Sequence, residues 1–129
     1  MDALEKVNLC GVYAEEKKAK DVVILEMAGL TDIADYFLIA SGTGERHVTT
    51  IADHILKSLK ASGVKPHLVE GNDEGRWVII DYQNIVVHIF IEPLRELYDL
   101  ESLWIEARRR RVEIENKSNV GAKNGKTKA

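Results

Sequence analysis

Tyr36-Phe37-Leu38-Ile39-Ala40-Ser41-Gly42-Thr43-Gly44 sets an apolar run against a Gly-rich break, and the residues after the break carry a helical pattern. A short aromatic and β-branched run ended by glycine reads as a strand. Val48, Ile51, Ala52, Ile55, Leu56 and Leu59 then recur at i, i+3, i+4 and i+7, the apolar stripe of an amphipathic helix. Thr43 is placed to cap that helix, and Gly63 to close it just after its C-cap. A strand that leads directly into a helix marks an α/β chain.

Working outward, Asp2 is placed to cap a first helix over residues 3–18, with Leu4, Val7, Cys10 or Gly11, and Ala14 on one side. Gly11 costs that helix roughly 1 kcal/mol against Ala, and close packing against the sheet accounts for it. Residues 21–26 form a β-branched strand and residues 28–35 a turn. Beyond the second helix, residues 66–70 read as a short strand and residues 71–75 as a loop. Residues 76–82 and 85–92 are two strands joined at Gln83-Asn84, a tight hairpin, and Pro93 ends the second. Leu94, Leu97, Leu100, Leu103, Trp104 and Ala107 predict one or two short closing helices. From residue 113 the chain is polar and is read as disordered. The order α-β-β-α-β-β-β-α predicts an α/β fold: a mixed sheet of about five strands with helices mainly on one face. The domain spans residues 1–107, followed by a basic tail over residues 108–129. Two helices leave part of the sheet bare, and exposed sheet with aromatics on it points to a partner.

The charge is uneven. The net value is -3, but residues 1–104 hold 10 Lys+Arg against 18 Asp+Glu, whereas residues 105–129 hold 8 against 3. An acidic body is repelled by bare RNA and attracted to a basic protein. Cys10 is the lone cysteine. It excludes an internal disulfide and a thiolate zinc site, and it fits a reducing cytoplasm. No apolar run is long enough to cross a bilayer.

The residues offer little chemistry. His47 and His54 share a helix face but lie two turns, roughly 10.5 Å, apart. No H-x-x-x-H pattern exists, so no metal is expected. His88, between Val87 and Ile89, reads as a half-buried or interface histidine. Cys10 reads as a buried structural thiol. Residues 41–45 lead a strand into a helix N-terminus, a natural anion site. A nucleotidyltransferase would need two carboxylates on a nearby strand to hold its metal ions, and that strand offers Asp81 alone. A capping turn is the plainer reading, with no catalytic residue and no cofactor. Arg108, Arg109, Arg110 and Arg111 are either a solvated helix end or a non-specific contact to rRNA; no aromatic interleaves with them. The hairpin is the stronger candidate. Alternation puts Val78, Ile80, Val87, Ile89 and Ile91 on one side, facing the helices. The other side carries Trp77, Asp81, His88, Phe90 and Glu92. That aromatic and acidic mixture is either an interface for a basic protein or a surface covered by the C-terminal helix with Tyr98 and Trp104.

Three blocks of this sequence resemble the Iojap family, the ribosomal silencing factors. Residues 35–43 with Glu45-Arg46-His47-Val48 and Ile51-Ala52-Asp53 resemble the first. Glu70-Gly71, Trp77-Val78, Asp81-Tyr82 and Val86-Val87-His88-Ile89-Phe90 resemble the second. Arg95-Glu96-Leu97-Tyr98-Asp99-Leu100-Glu101 with Leu103-Trp104 resemble the third. The blocks cover residues 3–107 in order. The resemblance implies a nucleotidyltransferase-like fold without the catalytic carboxylates, hence no enzyme. It also implies a cytoplasmic factor that binds the fourteenth protein of the large ribosomal subunit, blocks joining of the small subunit, and lowers translation when nutrients are scarce. Organelle relatives act in ribosome assembly. The sheet face read above, with Trp77, Asp81, His88 and Phe90 and helped by Glu92, Arg95 and Tyr98, is the expected partner surface, and a homodimer of the free protein is compatible with a bare sheet face. Two departures stand out. Gln83-Asn84 replaces the Gly-Asp-like turn of relatives, and the tail after Arg111 lies outside the resemblance.

Overall fold

Asp2 opens the first helix, α1 (Ala3–Glu16), through a reciprocal cap: its carboxylate accepts the Glu5 N–H at 2.8 Å, and the Glu5 side chain accepts the Asp2 N–H at 3.0 Å. This computed structural model describes residues 1–113, so the disorder expected of residues 114–129 lies outside the described residues. The helix ends two residues sooner than its periodicity suggests, and Lys18 turns the chain back at a φ of 63°. The strands β1 (Lys20–Glu26) and β2 (Tyr36–Gly42) follow, then α2 (Glu45–Ala61). Gly44, not Thr43, is the N-cap of α2, and no side chain caps it. The helix begins one residue later than the cap at Thr43 requires, and the Thr43 N–H donates to His47 Nδ1 at 2.9 Å.

Next come β3 (Leu68–Glu70), β4 (Trp77–Asp81) and β5 (Ile85–Ile91), two short helices α3 (Glu92–Tyr98) and α4 (Leu100–Leu103), and β6 (Arg108–Arg110). The sheet order is β3-β4-β5-β2-β1-β6. β2 and β5 run parallel, with α2, β3 and β4 between them in the chain, and the other neighbours are antiparallel. The mixed α/β sheet is as expected, but it has six strands where about five were expected. The sixth is the arginine run: Arg108, Arg109 and Arg110 pair with Glu26, Leu25 and Ile24 of β1. Arg110 and Glu26 are ion-paired at 2.6 Å across this edge. The run is therefore neither a solvated helix end nor part of a tail detached from the domain at residue 108.

Strand alternation divides the interior into two cores. On one face α1 and α2 pack Val7, Cys10, Ile51, Ile55 and Leu59 against Ile24, Leu38, Val78, Ile80, Val87 and Ile89. Val78, Ile80, Val87 and Ile89 thus face the helices, as alternation requires. On the other face Phe37, Ile39, Val86 and Phe90 lie under Leu94, Leu100 and Trp104. β5 is buried on both sides, which explains why it is apolar at every position but His88. Among the described residues no helix is long and apolar enough to cross a membrane.

Candidate functional site

The face opposite α1 and α2 carries an aromatic stack built across the β4–β5 hairpin. Trp77 and Phe90 are cross-strand partners, and their rings stack at 4.8 Å with 27° between planes. Such pairs contribute roughly 0.5–1.5 kcal/mol beyond area burial. Tyr98, at the end of α3, lies on the outer face of Trp77 at 4.8 Å. The Trp77 indole N–H donates to His88 Nδ1 at 3.2 Å. Indole is only a donor, so His88 is neutral with its proton on Nε2. Burial lowers the His88 pKa to about 4. Phe37 meets the His88 ring edge-on at 5.0 Å and Trp104 at 6.3 Å.

The seven residues expected to form one contact surface lie at different depths, and Asp81 stands at the end of β4 away from Trp77, opposite Val86 rather than Phe90. Phe90 is 1% exposed and His88 is 7% exposed, so both are corrected from direct contacts to the floor beneath them. The physical reason is the second core: the C-terminal segment, with Leu94, Leu100 and Trp104, covers this part of the sheet. Trp77 and Asp81 are half-buried, and Glu92 and Tyr98 are exposed. Asp81 stabilises its own turn, its carboxylate accepting the Gln83 N–H at 2.7 Å and supporting a φ of 76° at Gln83. Leu68 and Val86 are its register neighbours. Arg95 is turned inward. It meets Glu101 through two bonds, at 3.2 and 2.8 Å, and donates to Ser41 Oγ at 2.9 Å. It fastens α3 and α4 to β2 and has no free fork to offer a partner.

The loop at residues 41–45 is likewise occupied from within. Ser41 is buried against Arg95. His47 accepts the Thr43 N–H and donates from Nε2 to the Lys17 carbonyl at 2.7 Å, tying the loop to the end of α1. His54 bonds Glu16 at 2.8 Å, so both helix histidines join α2 to α1. Among the described residues no group of three or more His, Cys, Asp or Glu could hold a metal ion. Cys10 is fully buried, and burial pushes its thiol pKa up.

Sequence reasoning missed an exposed apolar rim. Leu97 is 72% exposed, and Leu103, Ile105, Leu30 and Ile33 are exposed too. Leu94, Leu97, Leu100 and Leu103 repeat every three residues, which reads as one buried stripe. The left-handed Asp99, at a φ of 45°, divides that stripe between two short helices. Leu94 and Leu100 pack inward, while Leu97 and Leu103 face out. Beside this rim, Asp21, Glu92, Glu96, Asp99 and Glu101 line an open groove of about 700 Å³ around Arg95.

Comparison with known proteins is consistent across sequence and structure. Residues 1–129 match the family described as "Ribosomal silencing factor during starvation". The ribosomal silencing factor of Halalkalibacterium halodurans is 39% identical over 107 residues, covering 83% of this chain and 92% of its own. A mouse protein named "Mitochondrial assembly of ribosomal large subunit protein 1" is 30% identical over 92 residues, covering 69% of this chain and 40% of its own. A crystal structure of a Chromobacterium violaceum protein superposes with a TM-score of 0.79 at 30% identity, covering 89% of this chain and 95% of that one. The chain belongs to the ribosomal silencing factor family.

Proposed function

We propose that this protein silences translation by docking on the large ribosomal subunit, through its fourteenth protein, and standing where the small subunit must join. The observation that carries the reading is the pairing of an exposed aromatic and aliphatic rim with a carboxylate-lined groove on a chain of this family. Leu97, Tyr98 and the half-buried Trp77 supply apolar area. Glu92, Glu96 and Asp99 supply charge suited to a basic protein. Few residues carry most of an interface's energy, and large anchors at its centre are each worth ~2 kcal/mol or more. In this reading Trp77 and Tyr98 are the anchors, and Glu92 and Asp81 are charged partners. His88 and Phe90 hold Trp77 in place, and Arg95 holds α3. Arg108, Arg109 and Arg111 face solvent and would meet nearby rRNA; Arg110 is taken by Glu26.

No covalent step is required, because an occupied surface is enough to exclude the small subunit. The nucleotidyltransferase likeness belongs to the same reading, as a fold used for binding rather than catalysis, without a cofactor. The cytoplasm is its setting, and the exposed rim is also the surface on which two free copies would meet. Co-sedimentation with purified large and small subunits tests the docking. Pelleting with the large subunit alone supports it. Pelleting with neither, or with the small subunit, overturns it.

A further inference from the structure

Three of the lysines on this acidic body stand together. Lys57 and Lys60, one turn apart on α2, converge with Lys65 around an open cleft of about 600 Å³ whose apolar wall is Leu56 and Pro66. All three lysines are exposed, and exposed His67 follows in the chain. Among the described residues none of the three forms an ion pair. The one carboxylate in the cleft, Asp53, accepts the Asn72 side-chain N–H at 3.3 Å.

The position of this cleft matters. Lys65 and Pro66 lead into β3, which is one outer strand of the sheet; β6, with its arginines, is the other. The carboxylate groove of Glu92, Glu96 and Asp99 lies on α3 and the turn that follows it. The molecule therefore sets an acidic surface on α3 apart from a basic cluster at each sheet edge. A uniformly acidic body would be repelled by RNA. This distribution instead suits a surface where a basic protein is surrounded by RNA.

We infer that the Lys57–Lys60–Lys65 cleft is a second contact surface, and that it takes the phosphate backbone of RNA. Lysines act as point charges toward phosphate. The cleft carries no aromatic platform for a base, so the contact is positional and independent of sequence. Leu56 and Pro66 leave an apolar wall against which a ribose can rest. The inference rests on the ribosomal reading for its biological setting, but free RNA tests it separately.

The experiment is fluorescence anisotropy of a labelled single-stranded oligouridylate. It is titrated with the full chain and with the triple variant Lys57→Gln, Lys60→Gln, Lys65→Gln over a range of salt concentrations. All three positions are exposed, so thermal unfolding of the variant should match the parent. The variant is expected to bind about tenfold or more weakly. The slope of log K against log salt should flatten by about 2, at roughly 0.7 per lost contact on a single strand. No RNA binding by the parent, or identical Kd and slope in the triple variant, overturns the inference. So does a triple variant that keeps RNA but loses binding to polyglutamate, which would assign the cleft to an acidic protein.

Discussion

Tyr98 and Phe90 belong to one aromatic stack through Trp77, yet one is 51% exposed and the other 1%. That difference in depth sets what each substitution should do. Tyr98→Ala removes an exposed ring and should weaken large-subunit binding about tenfold or more, with a change in Tm of a few degrees at most. Phe90→Ala opens a cavity under Trp77 and should cost about 3–5 kcal/mol of stability, readable by urea unfolding. His88 gives a pH signature. Its folded pKa is about 4, against ~6.5 in an unfolded chain. Between those values the unfolded chain binds the extra proton, so stability falls as pH drops from 6.5 towards 4, by up to about 3 kcal/mol. His88→Gln should remove that part of the slope in a pH series of thermal melts. Cys10, buried and pushed up in pKa, should resist a thiol reagent until the protein unfolds. Residue types and strand alternation were legible in the sequence: Trp77, Asp81, His88 and Phe90 do begin on one face. Their depth was not, because it depends on where Leu94, Leu100 and Trp104 fold back.

Among the elements, α2 was readable almost to the residue, since its stripe obeys one period and glycines flank it. β6 was not. Three arginines carry no apolar alternation, and the signal for a strand there lies in the register with β1 and the Glu26–Arg110 pair. α1 holds a related lesson. Gly11 was expected to pack on the sheet, but it lies against Val112: a Cβ at this position would fall 2.5 Å from Val112 Cγ2. The segment after β6 therefore crosses α1 at its glycine, where the Glu113 N–H also donates to Asn8 Oδ1 at 3.0 Å. Gly11→Ala should cost about 1–3 kcal/mol through overpacking, despite the better helix propensity of alanine. Val112→Ala in the same chain should recover much of that loss in a double-mutant cycle of chemical unfolding. The fastening of α3 and α4 by Arg95 makes a separate prediction. Arg95→Ala breaks its bonds to Glu101 and Ser41, so amides of residues 92–103 should exchange faster while those of β5 keep their protection.

At the scale of the whole molecule, the proposed function rests on the layers and the charge asymmetry. The order of elements as far as the closing helices and the acidic body were visible in the sequence. The arrangement of charge in space was not, because Lys57 and Lys65 meet where the chain turns back after α2, and Glu92 and Asp99 meet around Arg95. The central claim is steric, and it predicts a particular dependence on order of addition. Purified large subunits should be incubated with the protein before small subunits are added, and joining followed by light scattering. Joining should fall as the protein saturates the large subunit, and Tyr98→Ala should shift that titration about tenfold or more to higher concentration. Joining that proceeds unchanged on large subunits already saturated with protein would contradict the account.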